Sequence, residues 1–447
     1  MLFLHGGQLA AQDSPFGATK LKRPDTLLVA HVGRLLAVPG QPVTQQQTVV
    51  VRNDKVGEIL DGFVDPAGIE RDAETRLTVL DLRDYFVLPG LMDAHVHLAR
   101  ATGAYQPGLL QMNSSPEPGE ATVNAMINAQ LNLAAGFTAV RDLGSDQQSV
   151  FAVRDAIESG FLIGPTILAS GVSISVTGGH GDNAADQSPD ARAAAGVCDG
   201  ADECRRLVRH LEKTGSDLIK FKATGGFSSN TGLKQHMSPA EMAAIVEAAR
   251  FRNIRVTTHA YDPQAIVDAI NAGVNSVEHA FLLDDLGIRM MRKQGVYLVP
   301  TLTVAEPPAM VKRFLRGKKP ISVELRDQYQ AFEKAYAAGV KIAFGTDVGI
   351  YPHGKNADEF VTMVNLGMTP EDAIVTATIN TAGLFGVDNL TGTIETGALA
   401  DFIAVDGDPL TDITALAEVD YVVKAGQIAK WAGAMGPALD YNLRHRY

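Results

Sequence analysis

The sequence predicts an α/β protein: a (β/α)8 barrel carrying a small β-sandwich domain assembled from both ends of the chain. Three observations predict it. Between residues 89 and 390 short apolar strands alternate with Ala-rich helical stretches eight times. A glycine follows six of those helices at the position where a left-handed residue ends a helix. Runs rich in β-branched residues without helices between them are confined to residues 24–88 and to the chain beyond 391. With 447 residues the chain exceeds one ordinary core.

Taken in order, residues 1–12 combine apolar and small side chains but lack a basic n-region. They are not a complete signal peptide; the end of an export signal and a poorly ordered terminus both remain open. Residues 26–30, 47–51 and 77–82 read as strands of a small antiparallel sheet, with turns at Asn53-Asp54 and Asp61-Gly62.

Eight barrel strands follow: Gly90–Val96, Thr138–Asp142, Thr166–Ala169, Asp217–Ala223, Arg255–Ala260, Ser276–His279, Tyr297–Leu302 and Lys341–Thr346. Helical segments lie between them at 121–135, 149–159, 201–214, 239–252, 262–272, 283–294 and 323–338. Gly136, Gly160, Gly215, Gly273, Gly295 and Gly339 close six of these. Repeated strand–helix alternation means parallel pairing through right-handed crossovers. A closed TIM barrel of ~250 residues plus insertions satisfies this. An open doubly wound sheet would want a glycine-rich phosphate loop after its first strand, and none is present. Helices at 370–378 and 381–384 end the barrel. Strands at 392–394, 400–406 and 419–424 then join the N-terminal ones, so 24–88 with 391–447 form the sandwich and 89–390 the barrel. From Trp431 onward the pattern predicts nothing.

A hydrophobic share of 46%, a charged share of 20% and a net charge of −12 fit a globular chain and argue against a nucleic-acid surface. No window reaches the ~18 apolar residues that span a bilayer. The two cysteines, Cys198 and Cys204, are too few for a zinc knot. Their closeness across Gly200 permits a local disulfide, which would favour a periplasmic or secreted location over a cytoplasmic one.

Strand ends carry the chemistry. In an extended strand residues i and i+2 face one way, so His95 and His97 project together and can share a divalent metal. Polar side chains at strand C-termini point into the mouth of a barrel. His259, His279 and Asp347 end strands five, six and eight, and Lys220 and Lys222 share a face of strand four. Four of the eleven histidines thus fall on one rim. Any one could be a satisfied core group; the set is far harder to explain that way.

The stretches Pro89-Gly90-Leu91-Met92-Asp93-Ala94-His95-Val96-His97, Ile219-Lys220, Thr258-His259-Ala260, Ser276-Val277-Glu278-His279, Gly345-Thr346-Asp347 and Gly397-Ala398-Leu399-Ala400-Asp401-Phe402 resemble the amidohydrolase superfamily over nearly the whole chain. Thr177-Gly178-Gly179-His180-Gly181-Asp182 and Ala223-Thr224-Gly225-Gly226 make the resemblance closest to prolidase-like metal-dependent carboxypeptidases, the group that includes ochratoxin-hydrolysing amidases.

That resemblance implies two divalent metal ions, usually Zn²⁺. His95, His97 and Asp347 would hold one and His259 and His279 the other. A lysine carboxylated by CO₂, Lys220 rather than Lys222, would bridge them. A lysine ammonium has no lone pair, and carboxylation supplies one. Ions ~3.5–4 Å apart would share a hydroxide that attacks the amide, with Asp347 as general base and then acid. His180 would meet the carbonyl oxygen or the substrate carboxylate. Lys222, Tyr261 and Asn230, the last in a loop at 227–231, would contact substrate. Relatives often carry a second histidine where Tyr261 stands, which puts that position in question. Arg141-Asp142 reads as a structural pair and His353 as loop structure. The implied substrate is an N-acyl amino acid or dipeptide with a free carboxylate, and the implied assembly a homo-oligomer. Cyclic-amide hydrolysis and deamination are the alternatives, although superfamily deaminases commonly lack the strand-four lysine. A metal-free scaffold relative is a further alternative, less favoured because every ligand position is filled.

Overall fold

The computed structural model describes residues 25–100, 118–226, 231–305 and 321–435. Asn230, with the rest of 227–230, lies outside the described residues.

Strands from both ends of the chain build one eight-stranded sheet in the order β15-β14-β13-β12-β4-β1-β2-β3. These are β1 (Thr26–Leu35), β2 (Thr44–Arg52), β3 (Lys55–Asp61), β4 (Arg76–Pro89), β12 (Phe402–Val405), β13 (Val419–Lys424), β14 (Gln427–Trp431) and β15 (Ala434–Met435). The N-terminal part is not purely antiparallel as expected, because β1 and β4 run parallel from Thr26↔Arg76 to Leu35↔Val87. The register shifts after Val32, where Gly33 lies against the Arg83 carbonyl so closely that a Cβ would not fit. The strand expected at 392–394 is absent as a ladder, and β14 and β15 extend the sheet where the pattern predicted nothing. Alternation sorts the two faces. Leu28, Ala30, Leu80, Leu82, Phe402 and Val423 share one apolar cluster. Phe86, Leu88, Ile403, Val405 and Val422 turn the other way, into the main core.

That core holds two parallel sheets. One is β5 (Leu91–Val96), β6 (Phe137–Asp142) and β7 (Thr166–Ala169). The other is β8 (Leu218–Lys222), β9 (Arg255–Ala260), β10 (Ser276–His279) and β11 (Tyr297–Val299). A parallel bridge, Ile174↔Phe221, joins the β7 side to β8. Strand seven is shorter than expected, since Leu302–Ala305 is helical (α8).

The eighth strand, expected at 341–346, is not a ladder strand. Leu298↔Ile342 bridges the segment to β11 and Val96↔Val348 bridges it to β5. The intervening amides are diverted. Phe344 N donates to Thr376 O, and Thr346 N donates to the Asp93 carboxylate. With those donors taken, no continuous ladder can form.

The intervening helices are α1 (Pro118–Ala134), α2 (Gln147–Glu158), α3 (Pro189–Ala194), α4 (Ala201–Lys213), α5 (Pro239–Arg250), α6 (Pro263–Ala272) and α7 (Asp285–Gln294). Side-chain caps from Asp146, Ser188, Ser238, Asp262 and Asp284 start five of them. All six helix-closing glycines have positive φ. The helix expected at 370–378 stops at Val375 and widens into π-type turns over Thr376–Asn380. Cys198 and Cys204 are disulfide-bonded, tying the chain before α4 to its first turn.

Candidate metal centre

β5, β8, β9, β10 and the 341–348 segment deliver their C-terminal residues to one place. His95, His279 and Asp347 each offer a ligand atom, and these atoms all lie within 4.8 Å of one another. His97 joins them, with Nε2 3.0 Å from Asp347 Oδ1; His95 Nε2 is 3.6 Å from the same oxygen. The His259 ring lies 4.8 Å from that of His279 and 4.7 Å from that of His180. His95, His97, His259, His279 and Asp347 are buried, and His180 is half-buried.

The other nitrogen of each ring is already committed. Glu278 Oε1 receives bonds from Arg141, Thr257 and Ser276, while Oε2 faces His95 Nδ1 at 2.8 Å. A carboxylate so used accepts only, so His95 carries its proton on Nδ1 and turns a bare Nε2 to Asp347. His97 Nδ1 donates to Gly144 O at 2.9 Å, which bares its Nε2 as well. His259 Nε2 donates to Gly225 O at 3.0 Å. His279 Nδ1 is paired with Thr301 Oγ1 at 2.7 Å. Nitrogen lone pairs and a carboxylate oxygen thus converge. Among the described residues Asp347 Oδ1 is buried without a hydrogen-bond partner. Anionic and lone-pair atoms facing each other in a dry site repel unless a cation lies between them, so this donor set fits a divalent ion.

A family model described as the amidohydrolase family matches residues 86–429. The chain belongs to the amidohydrolase family. It is a hydrolase acting on amide C–N bonds. It is 30% identical to an ochratoxinase of Aspergillus niger, covering 95% of both chains. The crystal structure of a Xaa-Pro dipeptidase with methionine in its active site superimposes with a TM-score of 0.80 and 35% identity, over 91% of this chain and all of that one. The A. niger ochratoxinase structure gives 0.76 and 27%, over 93% and 98%.

Electrostatics in this amidohydrolase favour neutral imidazoles. Burial, then the Lys220 ammonium, hold His95 well below the ordinary histidine range. Burial leads for His259 and His279 too, followed by neighbouring histidines and Lys220. Burial pushes Lys220 itself down to about 8. Four residues in and around the amidohydrolase site, His279, Ala280, Thr301 and Asp347, sit at positive φ, a conformation that costs ~1–3 kcal/mol each outside glycine.

The two lysines part company. Lys220 shares its surroundings with Glu278 and Asp347. Lys222 Nζ instead lies against Gly181, and burial, Lys220 and Arg100 push it down to about 7. His180 is wedged between His259 and Gly226, where a Cβ would come within 2.6 Å of its ring. Burial, then Lys222, push His180 down to about 3. The Tyr261 ring lies 4.5 Å from His259 and 4.6 Å from Phe281.

Sequence reasoning missed Glu278 as the group that orients His95 and Arg141 as the group that secures Glu278. The signal was present, since both lie inside quoted motifs. The missing part was the fold, which brings Glu278 to a histidine 183 positions away.

Proposed function

We propose that this amidohydrolase is a binuclear metal-dependent enzyme that hydrolyses the amide bond of an N-acyl amino acid or dipeptide with a free carboxylate, ochratoxin-type amides included. The observation that carries the reading is the buried, unpartnered Asp347 Oδ1 faced by the bare nitrogens of His95 and His97. His95, His97 and Asp347 would hold one ion and His259 and His279 the other, most simply Zn²⁺, with Lys220 carboxylated by CO₂ between them. An amine that burial brings to about 8 is partly free base at neutral pH, the form that adds CO₂. Ions bound there polarise the scissile carbonyl and make water nucleophilic near neutral pH.

The chain's own residues do the rest. Asp347 takes a proton from the attacking water and returns it to the leaving amine. His180 and Tyr261 line the carbonyl side, and Lys222 supplies positive charge toward the substrate carboxylate. Tyr261 and Phe281, packed with Leu233 and Leu282, form an apolar wall that suits an apolar or aromatic side chain. Lys220 among the histidines argues against deamination.

We also read the two parallel sheets and the 341–348 segment as a closed (β/α)8 barrel spanning 89–390, and the composite sheet as a sandwich. The Cys198–Cys204 bridge supports an oxidising location, periplasmic or extracellular. A homo-oligomer is the expected assembly. Among the described residues no helix is long and apolar enough to cross a membrane.

The test is hydrolysis of a panel of N-acyl amino acids and dipeptides with Zn²⁺ and bicarbonate present, beside metal analysis. Asp347→Asn and Lys220→Ala are expected to lose at least ~100-fold in turnover while keeping the fold. Full activity in either variant overturns the assigned roles.

A further inference from the structure

Behind the metal centre runs a buried hydrogen-bond network that the hydrolytic reading does not use. α1 buries Asn124, Asn128 and Asn132, four residues apart, beside its apolar stripe of Ala121, Ala125, Ala129 and Leu133, and exposes Val123, Ile127 and Leu131. The Asn132 amide nitrogen donates to Asn128 O at 2.7 Å and to His353 Nδ1 at 2.9 Å. That makes Nδ1 of His353 an acceptor, so its proton sits on Nε2 and is donated to the carbonyl of His97 at 3.2 Å. The Asn356 amide nitrogen donates to Asn132 Oδ1 and to Asp93 Oδ2, both at 2.7 Å. Asp93 also accepts the His95 amide at 2.9 Å, and the Thr346 amide and hydroxyl at 3.1 and 2.5 Å. Asn132, Asn356, Asp93 and Thr346 have no exposed surface, and His353 is 7% exposed.

Asn356 donates into both arms of this network. From Asn356 one arm runs through Asp93 to Thr346, the residue before Asp347. The other runs through Asn132 and His353 to the backbone of His97. One arm thus ends on His97 itself and the other on the neighbour of Asp347, and the side chains of His97 and Asp347 meet 3.0 Å apart.

We propose that Asn356, Asn132 and His353 are positioning residues that fix the separation and aim of His97 and Asp347. The proposal rests on the metal-centre reading above. The buried side chains of Asn132, His353, Asn356, Asp93 and Thr346 are hydrogen-bonded, and a network so satisfied has one geometry; it holds strand β5 against a segment that lacks a ladder of its own. Loss of one member should loosen the aim of the ligand pair before it unfolds the chain, and partners of this kind typically contribute ~10–100-fold to metal affinity.

The experiment measures Zn²⁺ affinity of the full chain by competition with a chromogenic chelator, beside kcat and KM on an N-acyl amino acid. Asn356→Ala and His353→Ala are expected to weaken zinc binding ~10–100-fold and to lower kcat more than they change KM. Thr48→Val, which removes a buried hydroxyl in the N-terminal sheet, should leave zinc affinity unchanged while costing stability. Asn356→Asp keeps the volume but replaces both donors with acceptors. It should damage binding at least as much as alanine, whereas a packing role makes it the milder change. His353→Gln keeps a donor for the His97 carbonyl and should recover part of the loss; it also serves if Asn356→Ala does not fold. Variants that bind zinc like the unaltered protein, or a loss matched by Thr48→Val, overturn the positioning role alone. An unaltered protein that binds no zinc overturns the metal reading and this proposal together.

Discussion

Asp347 shows how much one residue's surroundings decide. Its place at the end of the eighth segment was readable from Gly345-Thr346-Asp347, and so were the four rim histidines, because period-two geometry and strand ends are local properties. Its left-handed backbone, at φ 63°, was not readable. Nor was the separation of Lys220 from Lys222. The i, i+2 rule put them on one face, but Lys222 reaches the Gly181 loop while Lys220 stays among the histidines.

Glu359 supplies a test at the same scale. Burial pushes its carboxyl up to about 8, against hydrogen bonds from the Leu302 and Thr303 amides that pull it down. The unfolded chain releases this proton near 4.5, so between about 4.5 and 8 the native state holds one proton more. Stability should therefore fall as the pH rises through that window, with a limiting slope of ~1.4 kcal/mol per pH unit, and level off above it. Glu359→Gln should flatten the slope in urea titrations run across the window. An unchanged slope would assign it to other groups.

Among elements, β7, β9 and β10 have the bounds that the sequence pattern implied to the residue. The 341–348 segment did not follow its pattern. Its apolar alternation is that of a strand, but two of its amides are taken by Thr376 and Asp93, which only the folded chain brings near. The helix read at 121–135 is present as α1, but only the folded chain shows which way it faces. Its composition marks a helix, yet its asparagines face inward to partners far along the sequence. The disulfide is an element-scale staple. It closes a loop of separation 6, for which chain entropy gives ~2 kcal/mol. The same loop carries Asp199, which accepts both the amide and the hydroxyl of Thr177 at the base of the His180 loop. Replacing both cysteines with alanine should lower unfolding stability by ~2 kcal/mol with far-UV circular dichroism unchanged. A stability equal to that of the bridged protein would show that the bridge contributes nothing.

At the scale of the molecule, the composite sheet ties the two ends of the chain together. β4 has β1 on one side and β12 on the other, and Pro89 pairs with Phe402. β12 and β13 also send Ile403, Val405 and Val422 into the main core. A chain ending before residue 402 should therefore lose more than a peripheral domain. It is expected to be insoluble, or to unfold far below the full chain in a thermal scan. A soluble truncated chain with the full-length melting temperature would show that the two parts fold independently.

The strand order also sets a schedule. During synthesis β4 emerges early, and its second neighbour arrives only after the whole intervening hydrolase has been made. At ~5–20 residues per second that wait is roughly 15–60 s. Throughout it the nascent polypeptide carries an unpaired apolar edge, the kind of surface that holding chaperones occupy and that neighbouring ribosomes on the same message can trap.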